Sequence, residues 1–327
     1  MANEFTLASY ELTAVDNLSK AIARTWREAS PILDKLSFKT SGLLSQKFLR
    51  YGNLPTVPWR KIGETFSNLN VTPDNVEERL YFMGAKIDTP YEYVKADSLV
   101  DVRATRTEAV MKAAAFGFNE AFFINTPLAD EDAPVGLWYR MVNDLPSTQN
   151  INAALDISPD TAVTSWQHKM FDVVDDLLDR VDGNPGEKTL FMGRTMFRRF
   201  QAAMRSSQLL ATTKDSLGRQ FITYGEGGPM VIDAGYKITS STGAQTLPIL
   251  GDAETAFTSL SGGAASSMYC VRFGEPYVSG WCQEMPTAED VGLTEDRTNY
   301  RTVVRFSPGL YIVNPRSAAI AYGWTAA

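Results

Sequence analysis

The chain has 327 residues, 44% hydrophobic and 21% charged, with 38 acidic side chains against 31 basic ones and a single histidine. Such a composition belongs to a folded protein with one large core or two smaller ones. A net charge of −7 without any Lys/Arg run excludes a protein that coats nucleic acid through phosphate contacts.

The N-terminal segment shows no basic-then-apolar signal pattern. Residues 4–30 place Leu12, Val15, Leu18, Ile22 and Trp26 at helical spacing, with Lys20, Arg24 and Arg27 in the second half and Ser30-Pro31 as the stop. Two readings fit this arm: it docks on a neighbouring molecule, or it packs on its own domain. Residues 38–55 look like short strands and turns. The next stretch, 57–96, alternates on both sides of a polar middle. Trp59, Ile62 and Phe66 lie on one side and Leu80, Phe82, Ala85 and Ile87 on the other, with turn chemistry from Asn68, Asn70, Thr72, Pro73, Asp74 and Asn75 between them. A two-stranded excursion is marginal alone in water, so it needs a second surface, on its own domain or on another subunit.

Asp97–Asn125 reads as one long helix of roughly 40 Å. Asp97 or Ser98 caps it, Ser98 with Asp101 resembles a capping box, and Asn125-Thr126-Pro127 ends it. Val100, Ala104, Met111, Ala115, Phe118 and Phe122 form an apolar stripe. Asp101, Glu108, Lys112 and Asn119 form a polar face that looks to solvent or to an interior space, with Glu108 and Lys112 as an i,i+4 pair. The last two turns are apolar nearly all round and should be buried. No apolar stretch here or elsewhere reaches the roughly 18 uninterrupted residues of a membrane span.

Beyond a loop at 128–136, helices are expected over Thr164–Val181 and Thr195–Leu210. Strands are expected over Lys188–Met192, Gln220–Tyr224, Pro229–Asp233, Leu247–Leu250 and Ser267–Phe273, which suggests an α/β layer. Asn299–Phe306 and Leu310–Val313 close the chain as strands around a turn at Ser307-Pro308-Gly309.

The motifs that invite chemistry have plain alternatives. Asp172, Asp175, Asp176, Asp179 and Asp182 share one helix, but their spacing is wrong for a calcium loop and fits a solvated acidic face. Gly225-Glu226-Gly227-Gly228 lacks the ending of a phosphate loop. Arg194, Arg198, Arg199 and Arg205 make a basic helix face, suited to charge pairing within or between subunits. Cys270 and Cys282 flank an expected hairpin through Gly274-Glu275-Pro276 and read as two buried thiols, which fits a reducing compartment. His168 has no G-x-S-x-G partner motif and no C-x-x-C companion. No catalytic, cofactor-binding or metal site is therefore assigned.

The order of these elements resembles the major capsid proteins of tailed phages, with the Hong Kong 97-like fold. The resemblance is carried by 57–96 as the extended loop, 98–125 as the spine helix, and Gly136-Leu137-Trp138-Tyr139-Arg140. It continues through Gly227–Gly235, Tyr269–Gly274 and the closing segment 298–323. It spans nearly the whole chain, and order rather than any single motif gives it specificity. It implies an α+β fold with an N-terminal arm (1–50), an extended β-hairpin loop (51–96), a peripheral domain with the spine helix (97–145 and 264–312), and an α/β axial domain (146–263 and 313–327).

The implied function is a structural, non-enzymatic subunit. It self-assembles through hexamers and pentamers into the icosahedral head of a tailed double-stranded DNA phage, in the bacterial host cytoplasm. Intersubunit contacts are expected from Trp59, Arg60, Lys61, Ile62 and Phe66 of the loop and Trp26, Arg24 and Arg27 of the arm. Implied partners are a portal protein, a scaffold that is a separate protein unless this chain is used uncleaved (the arm begins near residue 1), a cement or decoration protein, and weakly held packaged DNA, with no membrane and no cofactor. Some relatives join subunits through a Lys–Asn bond; Lys61 lies in the loop, but nothing fixes its partners, so that chemistry is not carried over. Two alternatives stand beside this reading: an encapsulin-like compartment and, from a different class, an α/β enzyme.

Overall fold

The computed structural model describes residues 4–13, 17–50, 56–69, 74–95, 102–157, 165–214, 219–237, 247–251 and 266–325. The expected cap residues Asp97 and Ser98, together with Val15, Val100, Asp101, Asn70, Thr72 and Pro73, lie outside them. The arm comprises strand β1 (Glu4–Thr6), helices α1 (Leu7–Thr13), α2 (Asn17–Ala29) and α3 (Pro31–Lys35), and strand β2 (Ser37–Thr40). Ser30 caps α3: its hydroxyl accepts from the Leu33 amide, and Pro31 stands in the first turn where no N–H is needed. Strands β3 (Ser45–Arg50) and β4 (Asp74–Arg79) form an antiparallel ribbon. β5 (Met83–Pro90) and α4 (Tyr91–Lys95) lead to the long helix α5 (Val102–Ile124).

The rest runs as α6 (Leu137–Asn143), β6 (Asn150–Asp156), α7 (Ser165–Asp179), β7 (Lys188–Met192), α8 (Arg194–Ser206), β8 (Leu210–Lys214), β9 (Gln220–Tyr224), β10 (Met230–Asp233), β11 (Tyr236–Lys237) and β12 (Leu247–Pro248). It closes with β13 (Ser266–Arg272), β14 (Val278–Cys282), β15 (Thr287–Leu293), β16 (Asn299–Phe306), β17 (Pro308–Ile312) and β18 (Ala318–Thr325).

A seven-stranded sheet, β6-β18-β13-β7-β10-β9-β8, forms one half of the molecule. Its central strands β7, β13 and β18 are buried almost throughout because both faces are covered. Alternate residues make the division. Leu190, Met192, Met268, Cys270, Ala319 and Ala321 face a core shared with α7 and α8. Phe191, Tyr269, Val271 and Ile320 face the core that holds α5 and α6. The other half contains a four-stranded sheet, β1-β2-β14-β17, and a three-stranded sheet, β15-β16-β5.

Helix α5 joins the halves. Phe118 meets Phe306 of β16 at 6.4 Å between ring centroids, while Phe123 meets Phe191 at 5.5 Å and Tyr269 at 5.2 Å in the large sheet. The expected burial of its C-terminal end is observed, as is the Glu108–Lys112 pair at 2.6 Å. Two positions differ from expectation. Ala104 is exposed, and Thr107 takes its place in the buried stripe. Asn119, expected on the polar face, is fully buried because its side-chain oxygen accepts from the Ser30 hydroxyl where the arm crosses the helix.

Three other expectations change. β13 and β14 do not form a hairpin: the chain crosses at 273–277 from the seven-stranded to the four-stranded sheet. β16 and β17 likewise belong to different sheets. The outgoing strand of the excursion is β3, not the Trp59–Phe66 stretch, and Asp74 and Asn75 lie within β4 rather than in a turn. β5 pairs instead with β16 over its whole length. β13, inside the segment 264–312, pairs with β7 and β18 of the large sheet.

Candidate assembly surfaces

The β3–β4 ribbon is held at its base by a polar clamp in an apolar setting. Phe48 of β3 stacks flat on Tyr311, at 4.1 Å and 5° between planes, and meets Trp281 edge-on at 6.2 Å. Glu78 of β4 forms a two-pronged pair with Arg140 of α6: Arg140 Nη1 donates to Oε1, and Nη2 to Oε2 at 2.9 Å. Arg140 also donates to the Val135 carbonyl at 3.1 Å and the Leu310 carbonyl at 3.3 Å. Both side chains are more than nine-tenths buried. Burial works against the Arg140 charge, but Glu78 outweighs it and the guanidinium pKa is raised. Arg50, at the end of β3, donates to the carbonyls of Asp144 and Ile312, and burial beside Arg140 lowers its pKa. Burial raises Asp144 above the usual carboxylate range, against the pull of Arg140 and Arg50.

Beyond this clamp, residues 56–69 carry their apolar side chains in solvent. Trp59, Ile62 and Phe66 are 102%, 106% and 82% exposed. The loop's own contacts are polar. The Lys61 amide donates to Glu64 Oε2 at 3.1 Å, Arg60 Nη1 donates to the Glu64 carbonyl at 2.8 Å, and the Arg60 guanidinium sits 4.2 Å from the Phe66 ring centroid. A loop that exposes three large apolar side chains while organising its polar ones is built to meet another surface.

The arm is more closely held. Trp26 is fully buried and edge-on to Phe306 at 4.9 Å, so it cannot serve as the expected contact with a neighbour. Arg27 is also taken up within the chain, 3.0 Å from Glu11 and 3.8 Å from Asp34. Asp34 in turn accepts from Arg219 Nη2 at both carboxylate oxygens, at 2.7 and 2.8 Å. Arg24 remains at the surface, paired with Glu28 at 2.9 Å. Helix α2 thus follows the packing alternative along its buried face, and Leu12 of α1 is 71% exposed.

The residues that invited chemistry stay apart. His168 is exposed on α7. Asp172, Asp175, Asp176 and Asp179 are exposed on the same helix, Asp176 pairs with Arg180, and Asp182 pairs with Arg316. Asp175 bonds to Tyr224, and burial raises the pKa of both groups. Arg194 pairs with Asp233 rather than with the acidic helix. Cys270 and Cys282 are free, buried thiols, both pushed up to about 12 by burial. Among the described residues, no group of three or more His, Cys, Asp or Glu side chains could hold a metal ion. No helix among them is long and apolar enough to cross a membrane.

Sequence reasoning missed Phe48, Glu78 and Arg140 as anchors. The available signal was a lone arginine among the apolar residues of Leu137–Asn143, within the Gly136–Arg140 stretch already singled out.

No family model and no curated protein matches the chain. Solved structures do. An encapsulin complex from Synechococcus elongatus (holo-SrpI) is similar over 98% of this chain and 95% of that one, at 14% identity and a TM-score of 0.56. The capsid of a native GTA particle is similar over 91% and 90%, at 13% identity and a TM-score of 0.58. The capsid of the cyanophage P-SCSP1u is similar over 89% and 86%, at 12% identity and a TM-score of 0.53. The chain has the α+β Hong Kong 97-like fold that these shells share.

Proposed function

We propose that this chain is a structural subunit whose copies assemble into a closed shell, the icosahedral head of a tailed double-stranded DNA phage. The observation that carries the reading is the 56–69 loop: three large apolar side chains held in solvent beyond a ribbon anchored by a buried ion pair. A monomer gains nothing from that arrangement, whereas a copy lying against its neighbour covers it. The contacts proposed are Trp59, Arg60, Lys61, Ile62 and Phe66, with Arg24 from the arm. The arm spans 1–50 and the loop 51–96. The peripheral part is 97–145 with 264–312, apart from β13, which pairs with β7 and β18 and is assigned with 146–263 and 313–327 to the axial part. Portal, scaffolding and cement proteins complete the proposed assembly in the bacterial cytoplasm, and the chain itself catalyses nothing. The acidic balance suits a container whose DNA must slide during packing.

An encapsulin-like compartment is the second reading, supported by the 98% coverage of the encapsulin likeness. The two differ in contents: packaged DNA favours a phage head, and a co-purifying enzyme cargo favours a compartment. The test of the shared claim is expression of the wild-type chain beside a variant with Trp59, Ile62 and Phe66 replaced by Ser, followed by size exclusion. The wild type should elute as large assemblies and the variant as folded small species. Equal assembly by the two would overturn the role given to the loop.

A further inference from the structure

Outside the 56–69 loop, one set of large apolar side chains shares an exposed end of the fold. Leu43, Leu44 and Phe82 are 57%, 59% and 68% exposed. Backbone bonds bring their segments together at one end of the four-stranded sheet. The Leu80 amide donates to the Leu44 carbonyl at 2.8 Å, the Ser41 amide to the Cys282 carbonyl at 2.9 Å, and the Tyr81 amide to the Pro308 carbonyl at 3.0 Å. A cleft of about 400 Å³ opens beside Phe82, lined by half-buried Met83, buried Phe306 and the exposed side chains of Glu284 and Arg305. Glu289 holds Arg305 at 3.4 Å, whereas Glu284 has no ion-pair partner among the described residues. The loop shows the opposite charge. Arg60 is turned onto Phe66, but the exposed ammonium of Lys61, next to Ile62, has no ion-pair partner among the described residues. The β3–β4 ribbon separates the two surfaces. Leu44 and Leu80 adjoin the Ser45–Arg79 pair at one end. The chain leaves for the loop beyond the Arg50–Asp74 pair at the other end, about 17 Å along the strand. Within one copy neither surface covers the other, since both are exposed.

From this layout we infer that the 56–69 loop of one copy docks on the Leu43, Leu44 and Phe82 surface of the next, with an apolar loop side chain in the cleft and Lys61 against Glu284. The inference rests on the shell-subunit reading and names the surface that receives its loop. Two different surfaces at opposite ends of one ribbon make a heterologous contact, which each copy can repeat with the next until a ring closes. The match is apolar against apolar, and an unpaired cation against an unpaired carboxylate. The apolar part supplies most of the affinity. The exposed ion pair is individually weak, so it acts mainly on registry and is sensitive to salt.

Charge exchange tests this on the full chain, with light scattering to read the concentration at which assembly begins. Lys61→Glu and Glu284→Lys should each raise that concentration on the order of threefold, since like charges then meet. The chain carrying both changes should assemble as the wild type does, which independent surface effects would not give. Phe82→Ser should raise the threshold on the order of tenfold, as truncation of a central apolar contact does. All three positions are exposed, so unfolding midpoints should stay at the wild-type value. Should Phe82→Ser fail to fold, Leu44→Ser takes its place with the same expectation. If the single charge changes assemble like the wild type, or the double exchange does not restore assembly, the Lys61–Glu284 contact is wrong. If Phe82→Ser also assembles like the wild type, the loop docks elsewhere and a different protein covers this surface. Either result overturns the inference while the shell reading stands. A wild type that never assembles overturns both.

Discussion

Replacing Glu78 by Ala probes the clamp on which the ribbon depends. The change leaves the Arg140 guanidinium in a site where its residue is 2% exposed, with only the Val135 and Leu310 carbonyls, at 3.1 and 3.3 Å, as acceptors. Breaking a buried pair from one side costs about 3–5 kcal/mol, because the remaining charge is uncompensated. Two carbonyls remain, so the lower end, about 3 kcal/mol, is expected for Glu78→Ala. Pairing Glu78→Leu with Arg140→Met removes both charges, and an apolar replacement of similar volume is often neutral, so this double change should recover most of the loss. The assay is urea unfolding of the four members of the cycle below the assembly threshold, with hydrogen exchange of β4 amides to show whether the ribbon base loosens. A cost below about 1 kcal/mol for Glu78→Ala, the size seen for an exposed pair, would mean that the ribbon does not depend on this clamp. So would a double variant no more stable than the sum of its single changes.

Trp26→Ala should lower subunit stability by about 3–5 kcal/mol, because it empties a buried site against Phe306. Trp59→Ser, at a fully exposed position, should change unfolding by no more than about 0.5 kcal/mol yet weaken assembly; calorimetry and light scattering separate the two effects. Cys270 and Cys282 should resist a thiol reagent at neutral pH in the folded chain and react after denaturation, since burial holds both thiols protonated; rapid labelling of the native protein would contradict their placement. The Asp88 carboxylate accepts two bonds from the Arg301 guanidinium, both 2.8 Å, and that bonding lowers its pKa. A lowered carboxylate stabilises the fold above its unfolded value, about 4, and loses that contribution as pH falls through the folded value. Asp88→Asn should therefore be slightly less stable than the wild type at pH 7, with the two unfolding midpoints converging below about pH 4.

The sequence made the helices legible where apolar spacing and stop signals agreed, as in α5, α7 and α8. β7 was legible because its short apolar run, Leu190–Met192, is what a strand covered on both faces requires. β18 was not, because Ala318–Thr325 holds three alanines and turns on Gly323 at a φ of 86°, so Ile320, Tyr322 and Trp324 stand in a run without polar–apolar alternation. The Trp59–Phe66 stretch misled for the opposite reason: its apolar spacing imitates a strand, but pairing depends on a partner, and β4 finds one in β3. Asn119 misled because helical spacing cannot reveal that the Ser30 hydroxyl lies across it, 89 residues away in the chain. The same limit applied to the assembly surfaces. Trp26 and Trp59 are both aromatic residues in segments read as reaching outward, and only the packing of α2 against β16 separates the buried one from the exposed one.

Electron micrographs of the purified wild-type protein, negatively stained at concentrations spanning the assembly threshold, decide whether copies of this chain close into a shell. Closed shells of uniform size are expected, with free rings of copies at lower concentration. Particles no larger than single subunits at every concentration, including after co-expression with neighbouring genes, would contradict it.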